Sequence, residues 1–397
     1  MTTAWRRAFR TTGVLVAICC LLLCPAAARG QQTMGPYRDV AELPDTPAGK
    51  RVQEFVDVVN SGDAERQRAF CEAALAPAFR DAMPMDAHLG FLARFHEECG
   101  RLRFHSVRLY DEPLPKGEIV AILHAELPDS WRELRVQVGP EPPHLIAGMM
   151  IMPARPPSDV PAPGKLNEEA LVAELGAFLD RLVAADRFSG AVLLAKDGKV
   201  LFKNAYGLAS KRFDVPNRID TKFNLGSMNK MFTAVAIGQL VERGKLSFDD
   251  SVSKYLSTDW LPRDVAEKIT VRHLLTHTSG LGSYFNETFD KSSRMLFRDL
   301  DDYKPLVEGD RPAFEPGSGW QYSNTGFLLL GVIIEKVTGM SYFDYVQQNI
   351  CGPAGMINTA CYEMDRPVPN LAIGYSKVGR GQDAYWENNL YKHVIKG

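Results

Sequence analysis

The proline-rich segment at residues 153–165, PARPPSDVPAPGK, constrains the fold of this chain more than any other stretch. Five of its thirteen residues are proline, and proline-rich segments are extended and semi-rigid because they make no internal hydrogen bonds. We therefore expect a stiff linker. Since 397 residues suffice for two domains, the linker predicts one domain over residues 49–152 and a second over residues 166–397.

The N-terminus has the pattern of a secretory signal peptide. Three arginines precede an apolar run at residues 14–23, and small residues follow as far as Ala28. We predict that residues 1–28 are cleaved and that the protein is exported, either to the periplasm or out of the cell. A lipoprotein signal is one alternative, with Cys24 lipidated, although Leu23 is bulky for that position. An uncleaved membrane anchor is the other.

Charge and cysteine content exclude some function classes. The net charge of −2 gives no electrostatic reason to expect nucleic acid or an anionic membrane as a partner. The eight histidines are scattered and no C-x-x-C pair occurs, so we expect no metal site. Four cysteines remain after the signal, and export would permit the pairs Cys71–Cys99 and Cys351–Cys361. Their connectivity cannot be read from the sequence.

The first domain reads as helices followed by strands. Residues 29–48 are polar and contain glycine and proline, which predicts a flexible lead. Helical periodicity then continues to about residue 95 and gives way to strand patterns that end near residue 152. This order predicts an α+β cone, and it resembles the nuclear transport factor two-like superfamily. The resemblance implies a concave ligand pocket; a spacer or a self-associating module is the alternative.

The second domain opens with two clear local signals. Asn167 precedes two glutamates at a helix start, which is typical of an N-cap. Asp197 and Gly198 then separate two apolar runs, which predicts a β-hairpin with a two-residue turn.

Ser227 and Lys230 form the first chemical motif, S-x-x-K, at the start of an apolar helix. Residues three apart lie on the same face of a helix, and residues 231–241 are apolar nearly all round, which predicts a buried helix. A lysine in that position can share a proton with the serine hydroxyl and activate it as a nucleophile. The free N–H groups of the helix start, including that of Ser227, can bind a developing oxyanion. The alternative is an N-cap serine with a lysine that reaches solvent.

Tyr322 and Asn324 form the second motif, Y-S-N, in a loop before another apolar helix that stops at Gly339. A phenol beside Lys230 is a candidate general base toward Ser227. Asn324 is a candidate to orient Lys230 and to bind the substrate amide. The structural alternative is an aromatic core residue with Asn324 as an N-cap.

These two motifs resemble those of the serine β-lactamase and penicillin-binding-protein superfamily. The Y-S-N motif is similar to the branch that holds class C β-lactamases, D-Ala-D-Ala carboxypeptidases and esterases. The flanks ITVRHLLTHTSGL and ICGPAGMINT are similar to family segments as well. The resemblance implies an α/β fold over residues 166–397, an antiparallel sheet flanked by helices. It also implies Ser227 as nucleophile, Lys230 and Tyr322 as the proton-transfer pair, and Asn324 as a substrate-positioning residue.

Two features qualify the resemblance. His273 and His277 lie in the matched flank, and we interpret both as structural, with His277 near a helix end closed by Gly280. The third family motif, K-T-G or H-x-G, is not found, and residues 395–397, IKG, lack a following strand. We therefore expect a fragment of a longer protein, truncated in its sheet and short of one oxyanion donor.

The leading hypothesis is an exported serine hydrolase that forms an acyl-enzyme with a β-lactam, a D-amino-acid peptide or a small ester. It needs no metal and no organic cofactor. The alternative is a non-catalytic or slowly acylated binder of penicillin or peptide, in which the first domain is the interaction module. In a third hypothesis, the first domain binds a small ligand and the second domain only supports the first.

Overall fold

The computed structural model describes residues 36–161, 164–363, 365–379 and 385–389. Within these ranges the chain forms two compact units. The sheet unit comprises residues 36–207 with residues 377–386, and the helical unit comprises residues 208–376 with residues 387–389. The units divide at residues 207 and 208, so the domain boundary at 153–165 stays a prediction. The signal peptide, the Cys24 alternative and residues 395–397 lie outside the described residues.

The sheet unit begins with a short strand, and its first four helices then precede the other four strands of an antiparallel sheet, in the order that the sequence predicts. Its strands are β1 (Tyr37–Val40), β2 (Leu102–Tyr110), β3 (Glu118–Ala125), β4 (Ser130–Val138) and β5 (Ile146–Pro153). Its first helices are α1 (Pro47–Ser61), α2 (Ala64–Ala74), α3 (Pro77–Arg80) and α4 (Met85–Cys99). The strands pair in chain order, β1 to β5, and every pair is antiparallel. The likeness to the nuclear transport factor two-like superfamily stays a prediction.

The predicted flexible lead at residues 29–48 is wrong for its described part. Tyr37–Val40 pairs with β2, and the Arg108 guanidinium donates two hydrogen bonds to the Asp39 carboxylate, at 2.9 and 3.1 Å. Both side chains are 2% exposed. Thr46 then caps α1, its hydroxyl accepting from the Gly49 N–H at 3.2 Å. A buried, bidentate ion pair holds a strand that its polar sequence does not suggest.

The first half of the predicted linker is docked on the sheet unit. The Arg108 guanidinium donates to the carbonyls of Arg155 and Pro156, at 3.2 and 3.3 Å, and the Ser158 N–H donates to Asp39 at 2.8 Å. Pro157 is buried. Residues 155–158 of the predicted stiff linker are therefore held against the sheet unit. Carbonyls in a proline-rich segment lack internal partners, so they accept from a neighbouring arginine.

The rest of the sheet unit follows its local sequence signals. It contains α5 (Glu168–Ala184), β6 (Gly190–Lys196) and β7 (Lys199–Tyr206). The Asn167 side chain caps α5 by accepting from the Ala170 N–H at 2.8 Å. Asp197 and Gly198 have φ values of 50° and 76°, as a two-residue turn between antiparallel strands requires. Both predictions are confirmed.

The helical unit is built around one apolar core. Its helices are α6 (Lys230–Glu242), α7 (Arg263–Ala266), α8 (Val271–Leu275), α9 (Glu287–Lys291), α10 (Lys304–Val307), α11 (Asn324–Thr338) and α12 (Tyr342–Val346). Its strands are β8 (Leu208–Ser210) and β9 (Val215–Pro216), while β10 (Tyr375–Val378) pairs with β11 (Tyr385–Asn388). Trp260 and the inner face of α11 are buried in this core. A π-helical turn, Gln347–Cys351, follows α12.

Helix α6 is only half buried, which corrects the prediction of a helix buried all round. Thr233, Ile237 and Leu240 face the core, whereas Met231 and Val235 are 50% and 46% exposed. Uniform apolarity predicts burial on every side, but the described part of the helical unit covers only one face.

Cys71, Cys99 and Cys351 form no disulfide. Neither pair considered from the sequence is bonded in the structure. Burial raises the pKa of Cys71 and of Cys99 to about 11, which keeps both as protonated, unreactive thiols.

Within the described residues, no single helix is long and apolar enough to cross a membrane. Residues 324–338 and 342–351 meet the same length and composition test only as a pair, and that pair is bent by 81°.

Candidate active site

Ser227 lies in a 3-10 turn, Gly226–Asn229, that runs directly into α6. The Asn224 carboxamide accepts from the Gly226 N–H at 2.8 Å and shapes the entry to the turn. Neither the turn nor α6 has a side-chain cap, and Ser227 is exposed. The serine therefore opens the helix as predicted, through a tighter turn that leaves its hydroxyl accessible.

Lys230 is the first residue of α6 and reaches back over the turn. Its Nζ lies 3.4 Å from the Ser227 hydroxyl oxygen and donates to Asn324 Oδ1 at 2.9 Å. The same ammonium lies 5.0 Å from the centroid of the Tyr322 ring and 5.6 Å from that of Phe327. The lysine is half-buried between two aromatic rings, where its charge is attracted to their faces, and does not extend into solvent.

Tyr322 lies in the loop before α11 and is 41% exposed. Burial acts to raise the pKa of its phenol, but the neighbouring Lys230 and Ser227 side chains outweigh burial and hold the pKa below its ordinary value. Both side chains favour the phenolate. The structure thus brings the hydroxyl, the amine and the phenol together, in surroundings that favour loss of the phenol proton.

Asn324 is the first residue of α11, and Ser323 is the N-cap. The buried Ser323 hydroxyl accepts from the Gly326 N–H at 2.8 Å and donates to the Gly282 carbonyl at 2.9 Å. The structural alternative, Asn324 as N-cap, is therefore wrong. Because Ser323 does the capping, the Asn324 amide is free to accept from Lys230 and to donate to the Ser283 hydroxyl at 3.0 Å.

The two histidines of the flanking segment have different surroundings. His273 lies within α8 and forms a capping box with Thr270, which confirms its structural interpretation. His277 lies beyond the end of α8, and its Nδ1 accepts from the Ser323 N–H at 3.0 Å. Gly280 does not close α8, which ends at Leu275; it occupies a later turn with a φ of 77°.

Ser283 and His277 contact the site, although motif reasoning gave them no part in it. Ser283 binds the Asn324 amide, and the His277 ring lies 4.5 Å from the Tyr322 ring, centroid to centroid. Both belong to the segment around T-S-G-L that precedes the second motif by about forty residues. Its similarity to a family segment was the only signal, and that signal does not reveal which atoms make contact.

The described residues contain no group of three or more histidine, cysteine, aspartate or glutamate side chains that could hold a metal ion. The chemistry that this arrangement supports is nucleophilic: an exposed hydroxyl with an amine and a phenol beside it to move its proton.

Comparisons with known proteins agree with the two motifs. A family model described as Beta-lactamase matches residues 170–392. Penicillin-binding protein 4* of Bacillus subtilis (strain 168) is 39% identical over 207 residues, which cover 51% of this chain and 45% of that protein. Esterase EstB of Burkholderia gladioli is 36% identical over 209 residues, which cover 49% of this chain and 53% of the esterase.

The solved structures include a similar fold. The crystal structure of a penicillin binding protein from Bacillus halodurans has a TM-score of 0.50 at 36% identity, and the match covers 55% of this chain and 66% of that one. The chain spans about half the length of the curated relatives that it matches.

Proposed function

Because the chain belongs to the beta-lactamase family, with the α/β fold that its motifs predict, we propose that it is an exported serine hydrolase. It forms an acyl-enzyme on Ser227 from an ester or an amide. One observation carries the proposal: Lys230 Nζ lies 3.4 Å from the Ser227 hydroxyl and 5.0 Å from the centroid of the Tyr322 ring, and both side chains act to lower the pKa of the Tyr322 phenol. A nucleophile in contact with two proton-transfer groups is what covalent catalysis requires.

In the acylation step, the Ser227 oxygen attacks the substrate carbonyl carbon, and its proton passes to the Tyr322 oxygen. The tetrahedral intermediate then collapses, the bond to the leaving group breaks, and the phenol gives the same proton to the departing alkoxide or amine. Lys230 stabilises the phenolate throughout. The Ser227 N–H, at the start of the turn, is positioned to donate to the oxyanion.

In the deacylation step, water attacks the acyl carbonyl and transfers one proton to the phenolate. The bond between the acyl carbon and the Ser227 oxygen breaks, the proton returns to that oxygen, and the acid leaves. The reaction consumes one water per turnover and uses no metal or organic cofactor. Asn324 supports both steps because it orients Lys230 through the 2.9 Å hydrogen bond.

Substrates of three classes are compatible with this chemistry: β-lactams, D-amino-acid peptides and small esters. The relatives are named as a penicillin-binding protein and an esterase. Next to the site residues in sequence, Met228 and Trp320 are 61% and 67% exposed. Their apolar surfaces favour a substrate whose acyl portion is uncharged.

The proposal is tested with three reagents on the purified chain: a fluorescent penicillin, a chromogenic cephalosporin and p-nitrophenyl acetate. We expect turnover of at least one reagent, and we expect its loss in Ser227→Ala. Ser253→Ala is the matched control, because Ser253 also lies in a 3-10 turn, Val252–Lys254, and also precedes a lysine.

The outcomes of this test separate the two main hypotheses. Stable labelling of Ser227 without turnover would favour the slowly acylated binder. A folded sample that gives neither labelling nor turnover would contradict both hypotheses.

Export and the role of the N-terminal region are further parts of the proposal. The signal pattern at residues 1–28 supports export, and an N-terminal sequence that begins at residue 29 in the secreted or periplasmic protein would test it. The α+β region at residues 49–152 is proposed as a separate domain that self-associates. Sedimentation of the mature chain over a range of concentrations would test the self-association.

A further inference from the structure

We propose that His277 is a positioning residue for Tyr322: it binds the backbone on both sides of the tyrosine and supports the phenol with its ring. The inference rests on the proposed function in one respect, namely that Tyr322 is the residue whose position matters for acylation. His277 would act through Tyr322, without contact to the substrate.

Two hydrogen bonds to His277 hold the backbone on either side of Tyr322. The Gln321 N–H donates to the His277 carbonyl at 2.9 Å, and the Ser323 N–H donates to His277 Nδ1 at 3.0 Å. The two donors are the backbone N–H groups of the residues that flank Tyr322. Because both acceptors belong to one residue, His277 fixes the course of the loop that presents the phenol.

The imidazole ring supports the phenol directly. Its centroid lies 4.5 Å from that of Tyr322, with 33° between the planes, and 5.1 Å from that of Phe327. Trp320 contacts the same ring edge-on at 6.0 Å. The imidazole thus packs against both the Tyr322 ring and Phe327 of α11.

The backbone at His277 is adapted to this role. Its φ of 60° is in the left-handed region, which few residues other than glycine adopt and where histidine, asparagine and aspartate are enriched. The loop is also held farther along, where the Gly317 N–H donates to the Thr278 carbonyl at 2.8 Å and the Ala313 N–H donates to that of Gly280 at 2.9 Å. This strained conformation persists because the surrounding loops fix it.

The hydrogen bond to Ser323 requires a neutral imidazole whose proton is on Nε2, since Nδ1 accepts. Burial lowers the pKa of His277, and the positive charge of Lys230 lowers it further. Lys230 from α6 and Tyr322 from the loop are the titratable groups beside the ring in the described contacts, while Phe327 and Trp320 carry no charge. These surroundings therefore favour the neutral imidazole, the form in which Nδ1 can accept the hydrogen bond from the Ser323 N–H.

Two substitutions separate the acceptor from the ring. His277→Phe keeps an aromatic ring against Tyr322 and removes the Nδ1 acceptor. His277→Asn removes the ring, but its Oδ1 occupies nearly the same place as Nδ1, and asparagine tolerates a left-handed φ. If the two backbone hydrogen bonds position Tyr322, His277→Asn should keep the low phenol pKa and most of the acylation rate that His277→Phe loses.

The direct measurement is the titration of the Tyr322 phenol, followed by NMR of protein labelled with 13C at tyrosine Cζ and assigned with Tyr322→Phe. In the wild type the phenol should titrate below the ordinary tyrosine value, because Lys230 and Ser227 beside it favour the phenolate. In His277→Phe we expect the pKa to rise, because the phenol moves away from both side chains, and in His277→Asn we expect it to stay low. This readout does not depend on catalysis.

Kinetics give the second readout. For His277→Phe we expect acylation of Ser227 to slow by about 10- to 100-fold, a part of the 10²–10⁴ that a positioned proton-transfer group supplies, with KM changed less than about twofold. His277→Asn should restore most of the rate. His277→Gln, whose carbonyl cannot reach the Nδ1 position, should behave like the phenylalanine variant and replaces it if that variant does not fold.

An unchanged Tyr322 titration in both His277→Phe and His277→Gln would overturn the inference, whatever the activity. A slower reaction with an unchanged titration would overturn it as well, because the effect would not act through the phenol. If the wild type titrates as expected but never becomes acylated, the proposed function fails and the positioning role stands.

Discussion

The two helices that carry the candidate site begin in opposite ways. Helix α11 starts at a fully buried cap, where the Ser323 hydroxyl makes hydrogen bonds of 2.8 and 2.9 Å. Helix α6 starts from an exposed 3-10 turn that has no side-chain cap. The buried start holds the loop that carries Tyr322, the proposed base, and the exposed start leaves Ser227, the proposed nucleophile, accessible. Substitutions at the two starts should therefore have different effects on stability and on activity.

The largest effect on acylation is expected at Ser227, in the exposed turn before α6. Ser227→Ala should abolish acylation, with a loss of at least about 10³-fold, because the attacking oxygen is absent. Its melting temperature should change little, since the hydroxyl is exposed and caps nothing. Burst-phase assays and thermal unfolding measure the two quantities. Residual acylation at the wild-type rate would show that another group is the nucleophile.

The next effect is expected at Tyr322. Tyr322→Phe should slow acylation by about 10²–10⁴-fold, the usual contribution of a positioned acid or base. Stability should fall only slightly, since the side chain is 41% exposed. Single-turnover kinetics at saturating substrate give the rate, and denaturant unfolding gives the stability. Equal rates in variant and wild type would remove Tyr322 from the proton-transfer pair.

A direct contrast between the helix starts comes from Ser323→Ala and Asn224→Ala. The first removes a buried cap and should lower the free energy of unfolding by about 1–2 kcal/mol. The second removes the exposed acceptor for the Gly226 N–H and should cost less than about 0.5 kcal/mol. Urea unfolding of both variants measures the difference. Equal losses of unfolding free energy would mean that the starts of α6 and α11 are equally rigid, which would contradict the expected difference between them.

A smaller effect is expected at Ser283. Ser283→Ala removes the hydroxyl that accepts from the Asn324 amide, so the amide no longer presents its oxygen to Lys230 in a fixed orientation. One hydrogen bond of about 1 kcal/mol corresponds to roughly a fivefold loss of rate. The measurement compares the acylation rates of Ser283→Ala and Ser283→Thr. Because threonine keeps the hydroxyl, the threonine variant should be the faster of the two. A threonine variant as slow as the alanine variant would contradict this reading.

The smallest effect is a dependence of stability on pH. Burial, and then Lys230, lower the pKa of His277 in the folded protein, whereas an unfolded histidine takes its proton near pH 6.5. The unfolded state therefore binds more protons as the pH falls below about 6.5, and stability declines until the folded ring protonates. Unfolding at pH 7.5 and 5.5 should show a weaker decline in His277→Asn. An identical decline would assign the effect to other groups.

Local sequence signals predicted a substantial part of this structure. Asn167 and the Asp197–Gly198 turn behave as predicted, because caps and tight turns depend on a few adjacent residues. The four site residues also converge as the two motifs predict. The S-x-x-K spacing alone places Ser227 and Lys230 on one face.

The features that were missed depend on contacts between distant residues. Strand β1 is held by the Asp39–Arg108 pair, which are 69 residues apart, and the His277 bond to Ser323 spans 46 residues. Neither leaves a periodic pattern. The exposed face of α6 was missed for a related reason: its sequence is apolar all round, and composition does not specify which neighbours cover each face.

The most direct test of the central claim is to locate the acyl group. Wild type, Tyr322→Phe and Ser227→Ala are mixed with p-nitrophenyl acetate or a fluorescent penicillin, quenched in acid at timed intervals and digested. Mass spectrometry then identifies the modified peptide. We expect a single adduct on Ser227 that forms at least about 100-fold more slowly in Tyr322→Phe and never in Ser227→Ala. An adduct on another residue, or equal rates with and without the phenol, would contradict the central claim.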